Sequence, residues 1–99
     1  MKIEIQSIHF DADHKLIDYI ERKVSKLGTF HDSIKGAEVY LKVQKAAEKE
    51  NKQVEIKINV NQKPLFAEHT SVSFEAATDL AVDQLKTQVK RYNEKLRAK

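Results

Sequence analysis

Ser7, His9 and Asp11 place a hydroxyl, an imidazole and a carboxylate at spacings of two, the residue types of a hydrolytic trio. In an extended segment alternate residues stand about 6.6 Å apart along the backbone, whereas the members of such a trio converge from separate elements. A wet strand end leading into a helix cap accounts for the same residues without catalysis. His9, His14, His31 and His69 form no i, i+4 pair and have no cysteine companions, which disfavours a metal site. Asp11, Asp13 and His14 could gather around an ion, but a cap already explains two of them. Gly28 and Gly36 are the only glycines, and neither lies in a spacing that cradles a nucleotide. The chain is read as a non-enzyme, with no catalytic residue, metal, cofactor or small-molecule substrate.

The chemistry that remains is cationic. From Lys86 to the end, Lys86, Lys90, Arg91, Lys95, Arg97 and Lys99 stand against the single acid Glu94, a local charge of +5 in a chain of +3, which leaves −2 for the rest. Basicity is therefore concentrated rather than spread. Lys86, Lys90 and Arg97 fall within about 40° of one another on a helical wheel, and Arg91 and Lys95 flank the opposite edge of the apolar stripe. Lys15, Arg22 and Lys26, at i, i+7 and i+11, line a second solvent face, with Lys23 about 60° to 100° around from them. Solubility alone explains many lysine-rich helix faces, and the helix dipole explains some cations near a last turn. Two basic stripes that merge into one ridge would match a protein that holds phosphates.

The elements that would position these cations follow from periodicity. Lys2 to Ile8 alternates, with Ile3 and Ile5 on one face and Glu4 and Gln6 on the other, as a half-buried strand does. Asp13 caps a helix whose buried stripe is Leu16, Ile20, Val24 and Leu27, and Gly28 suits a left-handed residue that ends it. After a loop through Phe30 and His31, Gly36 opens a second strand with Val39, Leu41 and Val43 on one face. Lys45 to Lys52 reads as an exposed hairpin connection. Val54, Ile56, Ile58 and Val60 form the clearest strand, and Asn61 to Pro64 the next turn. Leu65 and Ala67 share one face of a short fourth strand, Phe66 and Glu68 the other. A final helix from Ser73 to Ala98 carries the stripe Phe74, Ala77, Ala81, Leu85, Val89, Tyr92 and Leu96. Ser73 is its expected cap.

The order strand, helix, three strands, helix gives an α+β two-layer sandwich: a four-stranded mixed sheet with two helices on one face. The first two strands should be parallel if adjacent, and the later ones antiparallel hairpins. Tyr40 and Phe66 are lone aromatics on the open face, short of an RNA-stacking platform.

Ninety-nine residues, 40% apolar and 33% charged, describe one soluble domain spanning 1–99. No signal peptide or membrane span is visible, and the absence of cysteine suits a reducing compartment, so a cytoplasmic protein is expected. The alanines and tyrosine of the final stripe, and its lack of tryptophan, argue against a membrane-surface helix.

Ala76 to Arg97, AATDLAVDQLKTQVKRYNEKLR, resembles the closing helix of the ribosome hibernation promoting factors, also called ribosome-associated inhibitors or sigma-factor modulation proteins. Lys23 to Leu27 (KVSKL) resembles the end of that family's first helix and Leu41 to Val43 (LKV) its second strand, so the resemblance covers the whole chain. It implies a βαβββα fold similar to a double-stranded-RNA-binding domain. It also implies binding to ribosomal RNA of the small subunit in the decoding channel, blocking messenger RNA and A-site and P-site transfer RNA. Translation would thereby stop in stationary phase or stress. The rRNA-binding candidates are Lys15, Arg22, Lys23, Lys26, Lys86, Lys90, Arg91, Lys95 and Arg97. The chain departs from the family pattern at Thr87, where arginine is frequent, and at Glu75, where an aromatic is. It resembles the short form, without a C-terminal dimerisation domain, and a monomer is expected when free. The competing reading is a regulatory module that docks an acidic protein, such as a transcription component.

Overall fold

A computed structural model describes residues 1–29, 34–45, 49–60 and 63–97. Its elements are β1 (Lys2–Ile8), α1 (His14–Ser25), a 3-10 turn (Lys26–Thr29), β2 (Ile34–Val43), β3 (Lys52–Val60), β4 (Lys63–Ser71) and α2 (Phe74–Arg97). The sheet order is β1-β2-β3-β4, with β1 and β2 parallel and both later pairs antiparallel. The expected α+β sandwich is the one observed.

Each element forms for a local reason. Asp13 is extended, at φ −75 and ψ 165, and its Oδ1 accepts from the Leu16 N–H at 2.8 Å, which starts α1. Ser73 does the same for α2, accepting from the Ala76 N–H at 3.0 Å. Between the layers, Ile20, Val24, Leu27, Leu85 and Val89 from the helical side meet Val39, Leu41, Val54, Ile56 and Ile58 from the sheet, all fully buried. Burying each such side chain contributes about 1.5–3 kcal/mol. Phe10 and Phe74 stack at 5.1 Å between ring centroids and 7° between planes, fastening the entrance of α1 to the start of α2.

Several sequence expectations are corrected. No glycine has a positive φ, so Gly28 is not a left-handed cap. Instead Lys26, at φ −63 and ψ −24, carries the chain into the 3-10 turn, in which Leu27 is buried. The second strand begins at Ile34 rather than Gly36, and Pro64 lies inside β4, where it pairs with Asn59. Pro64 is tolerated there because β4 is an edge strand. In the β2–β3 connection Lys45, Lys49 and Glu50 are exposed, but Asn51 is buried and donates to the Lys45 carbonyl at 3.3 Å. The residue in the left-handed region is His9, at φ 65, where β1 gives way to α1. That turn ends the two-residue period on which the Ser7, His9 and Asp11 spacing rested. Phe30, His31, Asn61 and Ala98 lie outside the described residues.

The two helices run in the same direction. His69 Nε2 bonds Gln84 Oε1 at 2.7 Å and Gln88 Nε2 donates to the Phe66 carbonyl at 3.0 Å, so α2 ascends in number as β4 descends. A Cβ on Gly28 would lie 3.0 Å from Met1 Cε, so the end of α1 returns to the start of β1. The pairings make β1 and β4 point the same way, hence both helices lie antiparallel to them and parallel to each other. Twenty-four residues make α2 about 36 Å long and twelve make α1 about 18 Å, so α2 outreaches its neighbour.

Candidate nucleic-acid interface

Parallel helices bring their carboxyl ends to one end of the molecule, and most of the candidate cations lie toward those ends. In α1 and the 3-10 turn that follows it, Lys15, Arg22 and Lys26 are exposed, while Lys23 is half-buried toward α2. In α2, Lys90, Arg91 and Lys95 are exposed and Lys86 is half-buried. Arg97 closes the helix, and its side chain lies outside the described set. Lys15, at the start of α1, is separated from the others by two turns. The parallel helices thus carry Arg22, Lys23, Lys26, Lys86 and Lys90 toward one end, while Arg91 and Lys95 lie on the β4 side of α2 beside Lys63 and Leu65.

Charge along α2 is segregated. Glu75, Asp79 and Asp83 succeed one another at i, i+4 and i+8 in its first half, and the cations occupy the second. This arrangement suits the helix dipole at both ends. Thr87 turns its hydroxyl back to the Asp83 carbonyl at 3.3 Å.

The acidic half of α2 meets α1 at Asp79. Its Oδ1 accepts from the Tyr19 hydroxyl at 2.6 Å and lies 3.4 Å from Lys23 Nζ, tying the helices together. The Tyr19 ring has Lys23 Nζ 5.6 Å and the Arg22 guanidinium carbon 5.9 Å from its centroid. The hydrogen bond to Asp79, then burial, then the nearby carboxylates push the Tyr19 phenol from 10.0 up to about 12, against the opposing charge of Arg22. Tyr19 is therefore a neutral donor at any physiological pH. Tyr19, Arg22, Lys23, Ser25 and Lys26 line a surface hollow of about 480 Å³.

At the far end of α2 a second hollow of about 160 Å³ is lined by Lys63, Leu65, Gln88, Arg91, Tyr92 and Lys95. Sequence pattern alone does not single out Lys63, because it falls in an apparent turn. The available signal is topological: α2 returns antiparallel to β4, so the first residues of β4 must lie beside its late turns.

The sequence model of the family described as Sigma 54 modulation protein / S30EA ribosomal protein matches residues 3–97. The chain belongs to this family. A ribosome hibernation promoting factor of Azotobacter vinelandii is 30% identical over 95 residues, covering 96% of this chain and 85% of the relative. One from Pseudomonas putida is 27% identical over 95 residues, covering 96% and 89%. Among solved structures, the Thermus thermophilus protein Y N-terminal domain is similar with a TM-score of 0.79 at 29% identity, over 93% of this chain and 99% of that one. A ribosomal subunit interface protein from Coxiella burnetii gives 0.83 at 20% identity, over 95% and 99%, a likeness of fold. No helix among the described residues is long and apolar enough to cross a membrane.

Proposed function

We propose that the protein is a ribosome hibernation factor that binds ribosomal RNA of the small subunit in the decoding channel. It excludes messenger RNA and the A-site and P-site transfer RNAs by occupying their place, and so inhibits translation in stationary phase or stress. What supports this reading is that two parallel helices carry most of their cations toward one end of a chain 30% identical to a ribosome hibernation promoting factor. The proposed contacts are Arg22, Lys23, Lys26, Lys86, Lys90, Arg91 and Lys95, with Lys15 and Arg97 at the margins and Lys63 added from β4. They need perform no reaction: phosphate neutralisation supplies affinity, and the bulk of the folded chain supplies the block.

Cosedimentation with purified small subunits, across a salt series, tests this. Log affinity falls against log salt by about 0.7–0.9 per phosphate neutralised. Association that does not respond to salt, or that survives reversal of Lys86, Lys90 and Arg91 to glutamate, removes the ridge from the site. Capture of an acidic protein without ribosomal RNA from starved cells would favour the regulatory-module reading instead.

A further inference from the structure

Asp79, in the acidic first half of α2, faces the basic side of α1, and its geometry singles out one lysine. Lys23 Nζ lies 3.4 Å from Asp79 Oδ1, with the side chains 36% and 45% exposed. Lys26, one turn on, is exposed and makes no ion pair among the described residues. Asp79 cannot swing freely away from Lys23, because the same Oδ1 is held by the Tyr19 hydroxyl at 2.6 Å, and the Tyr19 ring is itself flanked by Lys23 and Arg22. A half-exposed ion pair of this kind is weak enough for a phosphate to displace.

We infer that Asp79 is an internal counter-anion that occupies Lys23 in the free protein, lowering affinity for polyanions by withholding one cation until a phosphate takes the carboxylate's place. It is a positioning residue that acts through Lys23, and Tyr19 is the anchor that keeps it there. The inference rests on the ridge being a phosphate-binding surface. Counterion release makes the effect measurable: a lysine already neutralised by a carboxylate adds less than a full unit of phosphate neutralisation to the salt slope.

The test compares the full chain with Asp79→Asn, Lys23→Gln and the double variant, using poly(U) as the polyanion probe over 50–200 mM salt. Asparagine retains an Oδ1 acceptor for Tyr19 and removes only the charge, and thermal denaturation of each variant checks that the fold persists. Asp79→Asn should steepen the log–log slope by about 0.7, which changes the ratio of its affinity to that of the parent about threefold across this range. In the Lys23→Gln background the same substitution should have no such effect. An unchanged slope, no binding by either parent or variant, or a gain that persists without Lys23 would overturn the inference. Failure of the ribosomal reading looks different: the parent binds poly(U) but does not cosediment with small subunits.

Discussion

The interhelical contact of Tyr19, Lys23 and Asp79 fixes an electrostatic state that titration can read. The Tyr19 phenol is raised to about 12, first by its hydrogen bond to Asp79. The folded protein thus holds this proton to a higher pH than the unfolded chain, and between pH 10 and 12 it binds more protons. Stability from this group is complete below pH 10 and is lost as pH rises toward 12. Of the three tyrosines, the one deleted by Tyr19→Phe should be the late contributor to tyrosinate absorbance, and Asp79→Ala, which removes the acceptor as well as the charge, should bring that transition down toward 10. If Tyr19→Phe instead removes an early transition, the hydrogen bond does not form in solution. Sequence periodicity sets Lys23 to one side of Lys15, Arg22 and Lys26, but its partner Asp79 lies far along the chain on another helix. Single-helix spacing carries no information about such a pair.

Among the elements, the two glycines separate what local pattern reveals from what packing decides. Gly28 looks like a left-handed helix stop, yet it lies in a right-handed 3-10 turn, and an added Cβ would meet only the far end of Met1 at 3.0 Å. Gly28→Ala should therefore be tolerated and can add about 0.4–1 kcal/mol by restricting the unfolded chain. Gly36 looks like an ordinary strand start, but an added Cβ would lie 2.9 Å from the Lys2 carbonyl oxygen, on the parallel strand paired with it. Gly36→Ala should destabilise, because backbone in a hydrogen-bonded sheet cannot yield as a methionine tip can. Urea denaturation of the two variants should move the midpoints apart, and a shared direction would refute the assignment. Ser73→Ala is expected to cost about 1 kcal/mol through loss of the α2 cap. The strands, both caps and the apolar stripes through Val89 were legible because each is set by residues near in sequence. Buried Asn51, the strand residues Ile34 and Pro64, and the 3-10 exit of α1 were not, since each depends on a neighbour from another part of the chain.

For the whole molecule, the decisive feature is direction: two parallel helices of unequal length put most of the candidate cations toward one end. Lys90, Arg91 and Lys95 lie on the part of α2 that outreaches α1, with Lys63 of β4 beside Arg91 and Lys95. At the opposite end of the sheet, β2 and β3 carry Lys42 and Lys52, which have the same formal charge and different surroundings. Non-specific attraction by net charge would treat the ends alike, because reversing any two lysines changes the total equally. A phosphate-binding end would not. Lys90→Glu with Arg91→Glu should weaken cosedimentation with small subunits and flatten its salt slope by about 0.7–0.9 for each phosphate no longer neutralised, while Lys42→Glu with Lys52→Glu should leave the slope unchanged. Lys63→Gln should act with the first pair although it is remote from it in sequence. Equal weakening from both ends would mean that the fold supplies only a diffuse positive field, and the convergence of the helices would then have no part in binding.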